Sequence, residues 1–223
     1  MIKISTFNSR SVLIKEVKKP QIYLRQLAEK YNDLIDVVPS FSEVLLVFKN
    51  DIMEYEKLEG ELKELMKQET SSLTSNTLRI PICFDEDFGL DQKRVEEYTG
   101  IPRNEVIKTL CNSSFQVHFL GFLPGYAYMG DLDSSLKIPR LESPRPNVPK
   151  GSFAIAENQL GIYPNASPGG WNIIGNCPLK IFDVESEELT LFKPGDQVQF
   201  YSISREEHEV FSKGSLDRKT FEL

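Results

Sequence analysis

Hydrophobic and polar positions in the first 70 residues follow two patterns, one typical of strands and one typical of helices. Short apolar runs bounded by turn residues predict four strands, at 2–7, 12–17, 35–39 and 43–49. Between them, one face of a predicted helix recurs at i, i+3, i+4 and i+7. That face is Leu24, Leu27, Ala28 and Tyr31, with Pro20 in the first turn. The pattern predicts a small α+β unit.

A second helix is predicted over 51–69, with Glu and Lys on its outer side. Its apolar face is Tyr55, Leu58, Leu62, Leu65 and Met66. We interpret the charged side as a solvated surface, with a partner-docking face as the alternative. The polar segment 70–77 (TSSLTSNT) that follows is typical of a linker. It places a domain boundary between residues 1–76 and 77–223.

From 78 to 203 the pattern is one of short strands with frequent turn signals, which predicts a barrel or sandwich. Pro81 places the first strand, 78–84, at an edge or near a strand start. Asp91 is a candidate cap for a short helix that Gly100 ends, and a second helix runs from 102 to 111. Further strands are predicted at 115–120, 179–184, 189–192 and 198–203. The charged tail from Ser204 is expected to add little to the core.

Charge and composition exclude several classes of protein. The net charge of −7 argues against nucleic acid and against anionic membrane surfaces as partners. The start lacks the apolar core of a signal peptide, and the longest early apolar run is far too short to span a membrane. Three widely spaced cysteines suit reduced thiols in a cytoplasmic protein. His118 and His208 lie far apart with no cysteine pair nearby, so we expect no metal site.

One stretch, 121–178, holds eight of the 13 glycines, eight of the 13 prolines and the only tryptophan, Trp171. Glycine supplies unusual backbone angles and proline fixes φ, so most of its turns are specified by sequence. Apolar and aromatic residues between them argue against disorder. An ordered, loop-rich region of this kind is where binding sites usually lie.

Three pieces of this stretch carry candidate chemistry. GFLPGY (121–126) is either a pocket wall or a structural loop pinned by its aromatics. Arg140 and Arg145 each follow a proline and match carboxylates or phosphates, although each could equally bond backbone carbonyls or a nearby acid. Residues 167–170 (SPGG) are expected to form a turn whose amides can bind an anion, with Trp171 packed below it. The alternative is a structural tight turn beside a core tryptophan. No Ser-His-Asp system, thiolate partner or carboxylate pair is evident.

The same residues carry a resemblance to a known family. GFLPGYAYMGDLD, IPRLESPRPNVPKGSFAIAENQLGIYP and SPGGWNIIG resemble the B-type subunit of 5-oxoprolinase. That family includes the sporulation-kinase inhibitor KipI and proteins labelled allophanate hydrolase subunit 1. The resemblance implies an α+β fold, with a small N-terminal α+β domain followed by a C-terminal cyclophilin-like β-barrel.

The resemblance also implies an activity that is shared between chains. Enzyme members act with a homologous C-type subunit, together with an A-type subunit, in the ATP-dependent opening of 5-oxoproline to glutamate. ATP, with Mg²⁺, would be a co-substrate of the assembled complex, and no protein-bound metal or prosthetic group is expected. KipI instead inhibits a histidine kinase by binding. A urea- or allophanate-related hydrolase or carboxyltransferase is the third hypothesis.

By family motif we expect a shared substrate-binding groove, without assigned catalytic roles. Its residues are Phe122, Pro124, Gly125, Tyr126, Arg140, Arg145, Tyr163, Ser167, Pro168, Gly169, Gly170 and Trp171. Two positions depart from the family. Leu110 stands where many relatives have His, and Asn176-Cys177 stands where many have Arg-Thr. These departures would alter activity if the missing polar groups serve the reaction, or would affect only packing or an interface between subunits.

Overall fold

The computed structural model describes residues 2–67, 76–214 and 218–223, with the side chain of Arg25 left aside. The chain divides into two units, Met1–Ser75 and Asn76–Leu223. Of the predicted linker, only Asn76 and Thr77 lie within the described residues.

The first unit is a four-stranded antiparallel sheet with two helices. Its strands are β1 (Lys3–Asn8), β2 (Ser11–Lys15), β3 (Leu34–Pro39) and β4 (Glu43–Phe48), in the order β1-β2-β4-β3. Its helices are α1 (Leu24–Lys30), entered through a 3₁₀ turn at Pro20–Tyr23, and α2 (Tyr55–Leu65). The predicted apolar face of α2 packs into the core of this unit. Alternating burial along β4 therefore puts Val44, Leu46 and Phe48 under the helices.

The second unit is built around a closed barrel of seven strands. Its first half contains β5 (Thr77–Cys83), α3 (Gln92–Thr99), α4 (Arg103–Asn112), β6 (Ser114–Leu120), β7 (Ala127–Gly130) and β8 (Arg145–Val148). Its second half contains β9 (Ser152–Ala156), β10 (Gln159–Ile162), β11 (Ser167–Gly169), β12 (Asn172–Asn176), β13 (Gln197–Ile203) and α5 (Arg205–Lys213). Short 3₁₀ turns lie at Ser134–Leu136 and Arg218–Phe221. The barrel order is β10-β7-β6-β13-β5-β12-β9, and β8 pairs with β11 in a separate ribbon. The predicted α+β class with a C-terminal barrel is confirmed.

Strand β9 is buried along its whole length because both of its faces are covered. Phe153 and Ile155 point into the main barrel core. Ala154 and Ala156 belong instead to a second apolar cluster, which also contains Val148 of the ribbon. Small alanines permit this close approach from outside the barrel. The barrel thus has an inner core and a second core on its outer face.

Two strand predictions need correction. Pro81 lies in a strand of the closed barrel and not in an edge strand. Its neighbour β13 pairs with β5 along its full length, whereas β12 pairs with β5 only at Cys83, so the proline removes no ladder bond on that second side. The predicted strands 179–184 and 189–192 are wrong, since this region contains only an isolated bridge between Phe182 and Thr190.

The tail also differs from its prediction. Ser204 and Glu207 form a capping box that starts α5. Beyond it, buried Arg218 makes a bidentate pair with buried Asp196, both bonds 2.8 Å long, and Phe221 joins the barrel core. The expectation that the tail adds little to the core is therefore wrong, since it supplies Arg218 of a buried ion pair and the core aromatic Phe221.

Candidate binding site on the outer face of the barrel

The turn GFLPGY leads from β6 into β7 and places two aromatic rings. Gly125 has φ +82°, and the backbone closes through bonds from the Tyr126 amide to the Leu123 carbonyl and from the Gly121 amide to the Tyr126 carbonyl. Phe122 also has a positive φ, +69°, which is costly for a bulky residue. Its side chain is nevertheless 61% exposed. A strained, exposed aromatic of this kind is a reason to suspect a functional role.

Five aromatic side chains meet at this turn. Tyr126 contacts Tyr163 and Trp171 edge to face, with ring centres 5.2 and 5.8 Å apart. Phe122 lies over both tyrosines, at 5.6 Å from Tyr126 and 6.4 Å from Tyr163. Tyr128 completes the group at 5.7 Å from Trp171. We call these five residues the aromatic cluster; only Phe122 and Tyr128 reach the surface.

The segment 167–170 is not the predicted turn. Residues Ser167–Gly169 form β11, which pairs with β8 so that Gly169 lies opposite Arg145. Neither Gly169 nor Gly170 has a positive φ, so the expected anion-binding concavity is absent from this segment. Gly169 is needed for close approach instead. A Cβ there would lie 2.9 Å from Cε1 of Tyr163 and closer still to its hydroxyl.

Arg140 lies above the aromatic cluster. Its guanidinium carbon is 5.9 Å from the Trp171 ring centre, a cation–π distance. The side chain is exposed, and within the described residues it has no carboxylate partner. Arg140 therefore offers a planar, two-pronged donor beside an apolar wall.

Arg145 is committed elsewhere. Its two terminal nitrogens bond both oxygens of Asp91, at 2.9 and 2.7 Å. The buried Asp91 carboxylate also accepts the Ile173 amide at 2.7 Å. Asp91 was predicted to cap α3, but it makes no side-chain cap bond there. Its carboxylate instead fastens the β8–β11 ribbon to β12.

Asn172 is a further positioning group that sequence reasoning missed. It is fully buried, and its amide nitrogen donates to the carbonyls of Pro139 and Ile155, each at 3.1 Å. Its amide oxygen accepts from Arg94. Because Pro139 directly precedes Arg140, this side chain fixes the base of the Arg140 loop. The only sequence signal was a polar residue directly after Trp171.

The electrostatics of the aromatic cluster keep its hydroxyls neutral. Burial raises the pKa of Tyr126 well above its ordinary value, and burial likewise raises the pKa of Tyr163. The Arg140 charge opposes this only weakly. The hydroxyls therefore serve as hydrogen-bonding groups and not as anionic bases near pH 7.

The structure brings together most of the predicted groove. Phe122, Tyr126, Tyr163 and Trp171 meet under Arg140. Gly169 allows the close approach of Tyr163, while Gly125 supplies the positive φ of the turn. Exposed Pro124 and Pro168 lie on the turn and the ribbon, and buried Ser167 bonds the Pro168 carbonyl. Gly170 accepts the Leu141 amide at 2.7 Å. Arg145 instead binds Asp91 with its guanidinium and helps to connect the β8–β11 ribbon to β12.

The departures from the family pattern occupy structural positions. Leu110 is fully buried in the barrel core. Asn176 accepts from His208 at 2.8 Å, in the tautomer that donates from Nε2, and donates to the Lys150 carbonyl at 2.9 Å. Cys177 is buried, and burial raises its pKa to about 12, so it remains a thiol. These groups pack and pin the barrel away from Arg140.

Comparison with known proteins identifies the family. The family described as carboxyltransferase domain, subdomain C and D, matches residues 6–192. The chain belongs to this family. The carboxyltransferase-domain chain is 29% identical over 201 residues to the B-type subunit of 5-oxoprolinase from Bacillus subtilis, covering 84% of the chain and 83% of the relative. It is 31% identical to the Escherichia coli O157:H7 protein of that name over 179 residues, covering 78% and 82%.

Longer proteins also contain a region similar to this carboxyltransferase-domain chain. It is 27% identical to the urea amidolyase of Saccharomyces cerevisiae, covering 65% of the chain and 9% of that protein. In the TTHA0988 crystal structure it matches 40% of that chain with a TM-score of 0.74 at 26% identity. A conserved uncharacterized protein from Pyrococcus horikoshii is 34% identical with a TM-score of 0.58, covering 92% of this chain and all of that one. No helix among residues 2–67, 76–214 and 218–223 combines the length and the apolar character needed to cross a bilayer.

Proposed function

We propose that this chain is the B-type subunit of an ATP-dependent 5-oxoprolinase. It would act with a homologous C-type subunit, together with an A-type subunit, to open 5-oxoproline to glutamate. Support comes from three relatives named as B-type subunits of 5-oxoprolinase and from one observation in the structure. That observation is Arg140, an uncommitted guanidinium above an aromatic wall.

The substrate suits this arrangement chemically. 5-Oxoproline is a small planar lactam that carries a carboxylate. Arg140 would bind the carboxylate through its fork, while Phe122 and Tyr128 would pack against the ring. Burial raises the pKa of Tyr128, and its neutral hydroxyl, the one tyrosine hydroxyl of the cluster near the surface, would hydrogen bond the lactam. Pro124, Gly125, Gly169, Gly170, Ser167 and Pro168 would shape the surrounding backbone.

The reaction consumes ATP and water and yields glutamate, ADP and phosphate. Phosphoryl transfer from ATP to the lactam oxygen would activate the carbonyl carbon. One water would add to that carbon as the C–N bond breaks, which leaves an acyl phosphate, and a second water would hydrolyse it to glutamate and phosphate. ATP and Mg²⁺ enter this proposal as co-substrates of the assembled complex. The described residues contain no group of three or more His, Cys, Asp or Glu placed to hold a metal ion.

The test is 5-oxoproline-dependent ATP hydrolysis by the complex assembled with the cognate C-type and A-type subunits. Arg140→Ala should lower kcat/KM roughly ten- to hundredfold, since a hydrogen-bonded charge contributes about 1.5–3 kcal/mol. Arg140→Lys is the matched control and should recover part of the loss. The proposal fails if the wild-type assembly shows no turnover, or if Arg140→Ala keeps wild-type kcat/KM.

The same assembly distinguishes a different amide substrate. The urea amidolyase relative favours testing urea and allophanate in place of 5-oxoproline. Turnover of either, with none of 5-oxoproline, would move the proposal to that substrate class.

Binding to a histidine kinase is the second candidate. It is favoured by the exposed Phe122 at the tip of a strained turn, because docking surfaces use exposed aromatics. In this case Phe122→Ala should abolish inhibition of kinase autophosphorylation. No capture of the kinase at micromolar concentrations, with turnover in the first assay, would exclude it.

A further inference from the structure

A second cleft lies on the opposite side of the barrel from the aromatic cluster. It is lined by residues of α4, which packs against β13, and of β13 and its parallel neighbour β5. In the barrel order these strands are separated from β7 by β6, and from β9 by β12. The cleft has a volume of about 550 Å³, within the range of small-molecule sites. None of the residues proposed for the 5-oxoproline site lines it.

The floor of the cleft is apolar. Ile107 and Cys111 lie on one face of α4, four residues apart, and both pack partly against the barrel core. Phe200 and Tyr201 of β13, together with Leu223, also line the cleft. Burial raises the pKa of Cys111, so this thiol stays neutral and contributes only apolar surface.

The rim of the cleft is cationic. Arg79 lies across from Gln199 in the β5–β13 register, and its guanidinium carbon is 5.0 Å from the Tyr201 ring centre. Lys108 of α4 is the second cation that lines the cleft. Amide and hydroxyl groups fill the spaces between them, and no Asp or Glu side chain is among the described residues that line the cleft. The polar lining groups are Asn104, Asn112, Gln199 and Ser202.

Nearby acids leave this charge largely available. Glu105 lies 3.5 Å from Lys108, but both side chains are at least half exposed, so the pair is weak. Burial is the main reason that the pKa of the Tyr201 hydroxyl is raised, and the negative charge of Glu207 raises this pKa further. Two cations at an apolar cleft therefore stand out in a chain of net charge −7.

We propose that this cleft binds a small amphipathic anion, a carboxylate or phosphate attached to a flat apolar body. The anionic group would lie between Arg79 and Lys108, and the apolar body would cover Ile107, Cys111 and the Tyr201 ring. The Arg79 fork matches either anion, while an amine on a flexible stem adjusts to both. This site is independent of the proposed 5-oxoproline site.

The experiment is amide chemical-shift mapping of the full chain with two probes, phenyl phosphate and benzoate. Both probes should shift amides of α4 and β13, and these shifts should persist in Arg140→Gln whether or not benzoate also moves the Trp171 indole signal. Stronger binding of one probe assigns the anion as phosphate or carboxylate. Because each charged hydrogen bond is worth about 1.5–3 kcal/mol, Arg79→Gln should weaken binding about tenfold or more.

Matched variants separate this site from the other. Lys108→Gln should weaken both probes, whereas Arg140→Gln should leave their affinity unchanged. Circular dichroism and the unfolding midpoint verify that each variant is folded. The proposal is overturned if neither probe shifts α4 and β13 at about 10 mM, which corresponds to binding weaker than about 3 kcal/mol. It is also overturned if the shifts centre on Trp171, or if the Arg79→Gln and Lys108→Gln variants bind as the wild type does.

Discussion

Two arginines five residues apart, both preceded by proline, have different roles in this molecule. Arg145 forms an ion pair with Asp91, and this pair connects the β8–β11 ribbon to β12. Arg140 stands exposed above Trp171. The same residue type in the same local sequence is therefore structural in one place and available for a ligand in the other. The difference is a buried carboxylate from a distant helix start, which local sequence does not reveal.

The largest expected effect comes from removing the carboxylate. Asp91→Ala should lower the free energy of unfolding by about 3 kcal/mol, the lower end for breaking a buried ion pair, because Arg145 is partly exposed. Arg140→Ala should change it by no more than about 0.5 kcal/mol. Urea unfolding of both variants measures this contrast. Equal losses of unfolding free energy in the two variants would show that Arg140 is as important for stability as the pair of Arg145 and Asp91.

The next effect tests the close approach beneath Arg140. Gly169→Ala should cost about 1–3 kcal/mol, because the new methyl group overlaps Tyr163 in a packed cluster. Gly170→Ala is the matched control, since its nearest atoms lie 3.6 Å or more away. We expect it to stay within about 0.5 kcal/mol of the wild type. A tolerated Gly169→Ala would mean that the aromatic cluster rearranges freely.

A smaller effect tests the strain beside Arg140. Phe122→Gly should be more stable than Phe122→Ala by about 1 kcal/mol, because only glycine adopts φ +69° without cost. Thermal unfolding compares the two variants, which both lack the ring. If the alanine variant is as stable as the glycine variant, the positive φ at residue 122 carries no strain.

The smallest expected effect is a pH dependence of the free energy of unfolding that comes from His208 and not from either arginine. Burial lowers the pKa of His208, so the unfolded chain takes up its proton first. Stability from this group is present above the unfolded pKa of about 6.5 and is lost as pH falls toward the lower folded pKa. His208→Gln keeps a donor for Asn176 and should flatten that slope between pH 7 and 5. An unchanged slope would assign the loss to another group, such as His118, whose pKa burial also lowers.

Sequence patterns predicted the elements that depend on local periodicity. The α2 face and the Gly100 helix end both follow from residues close together in the chain. The family motifs also named the residues of the aromatic cluster other than Tyr128. These groups lie within one stretch, so a single ordered segment could place them.

Predictions failed where distant groups decide the structure. Asp91 has the look of a helix cap, but Arg145 and Ile173 claim its carboxylate. Residues 167–170 have turn composition, yet pairing with β8 holds Ser167–Gly169 extended. The charge of the tail from Ser204 predicts little contribution to the core. Arg218 of this tail nevertheless pairs with Asp196, which lies before it in the chain, and this pairing makes the burial of both charges tolerable. Long-range partners of this kind leave no local pattern.

The first and last residues of the barrel unit lie next to each other, which bears on evolution by gene fusion. The Leu223 amide donates to the Thr77 carbonyl at 2.9 Å, and Asn76 donates to Glu222 at 2.7 Å. The points where a chain enters and leaves this unit are thus neighbours. A longer polypeptide can carry such a unit as an insert in a surface loop, without stretching either connection. This geometry suits a chain that is similar both to 9% of a urea amidolyase and to 83% of a shorter relative from Bacillus subtilis.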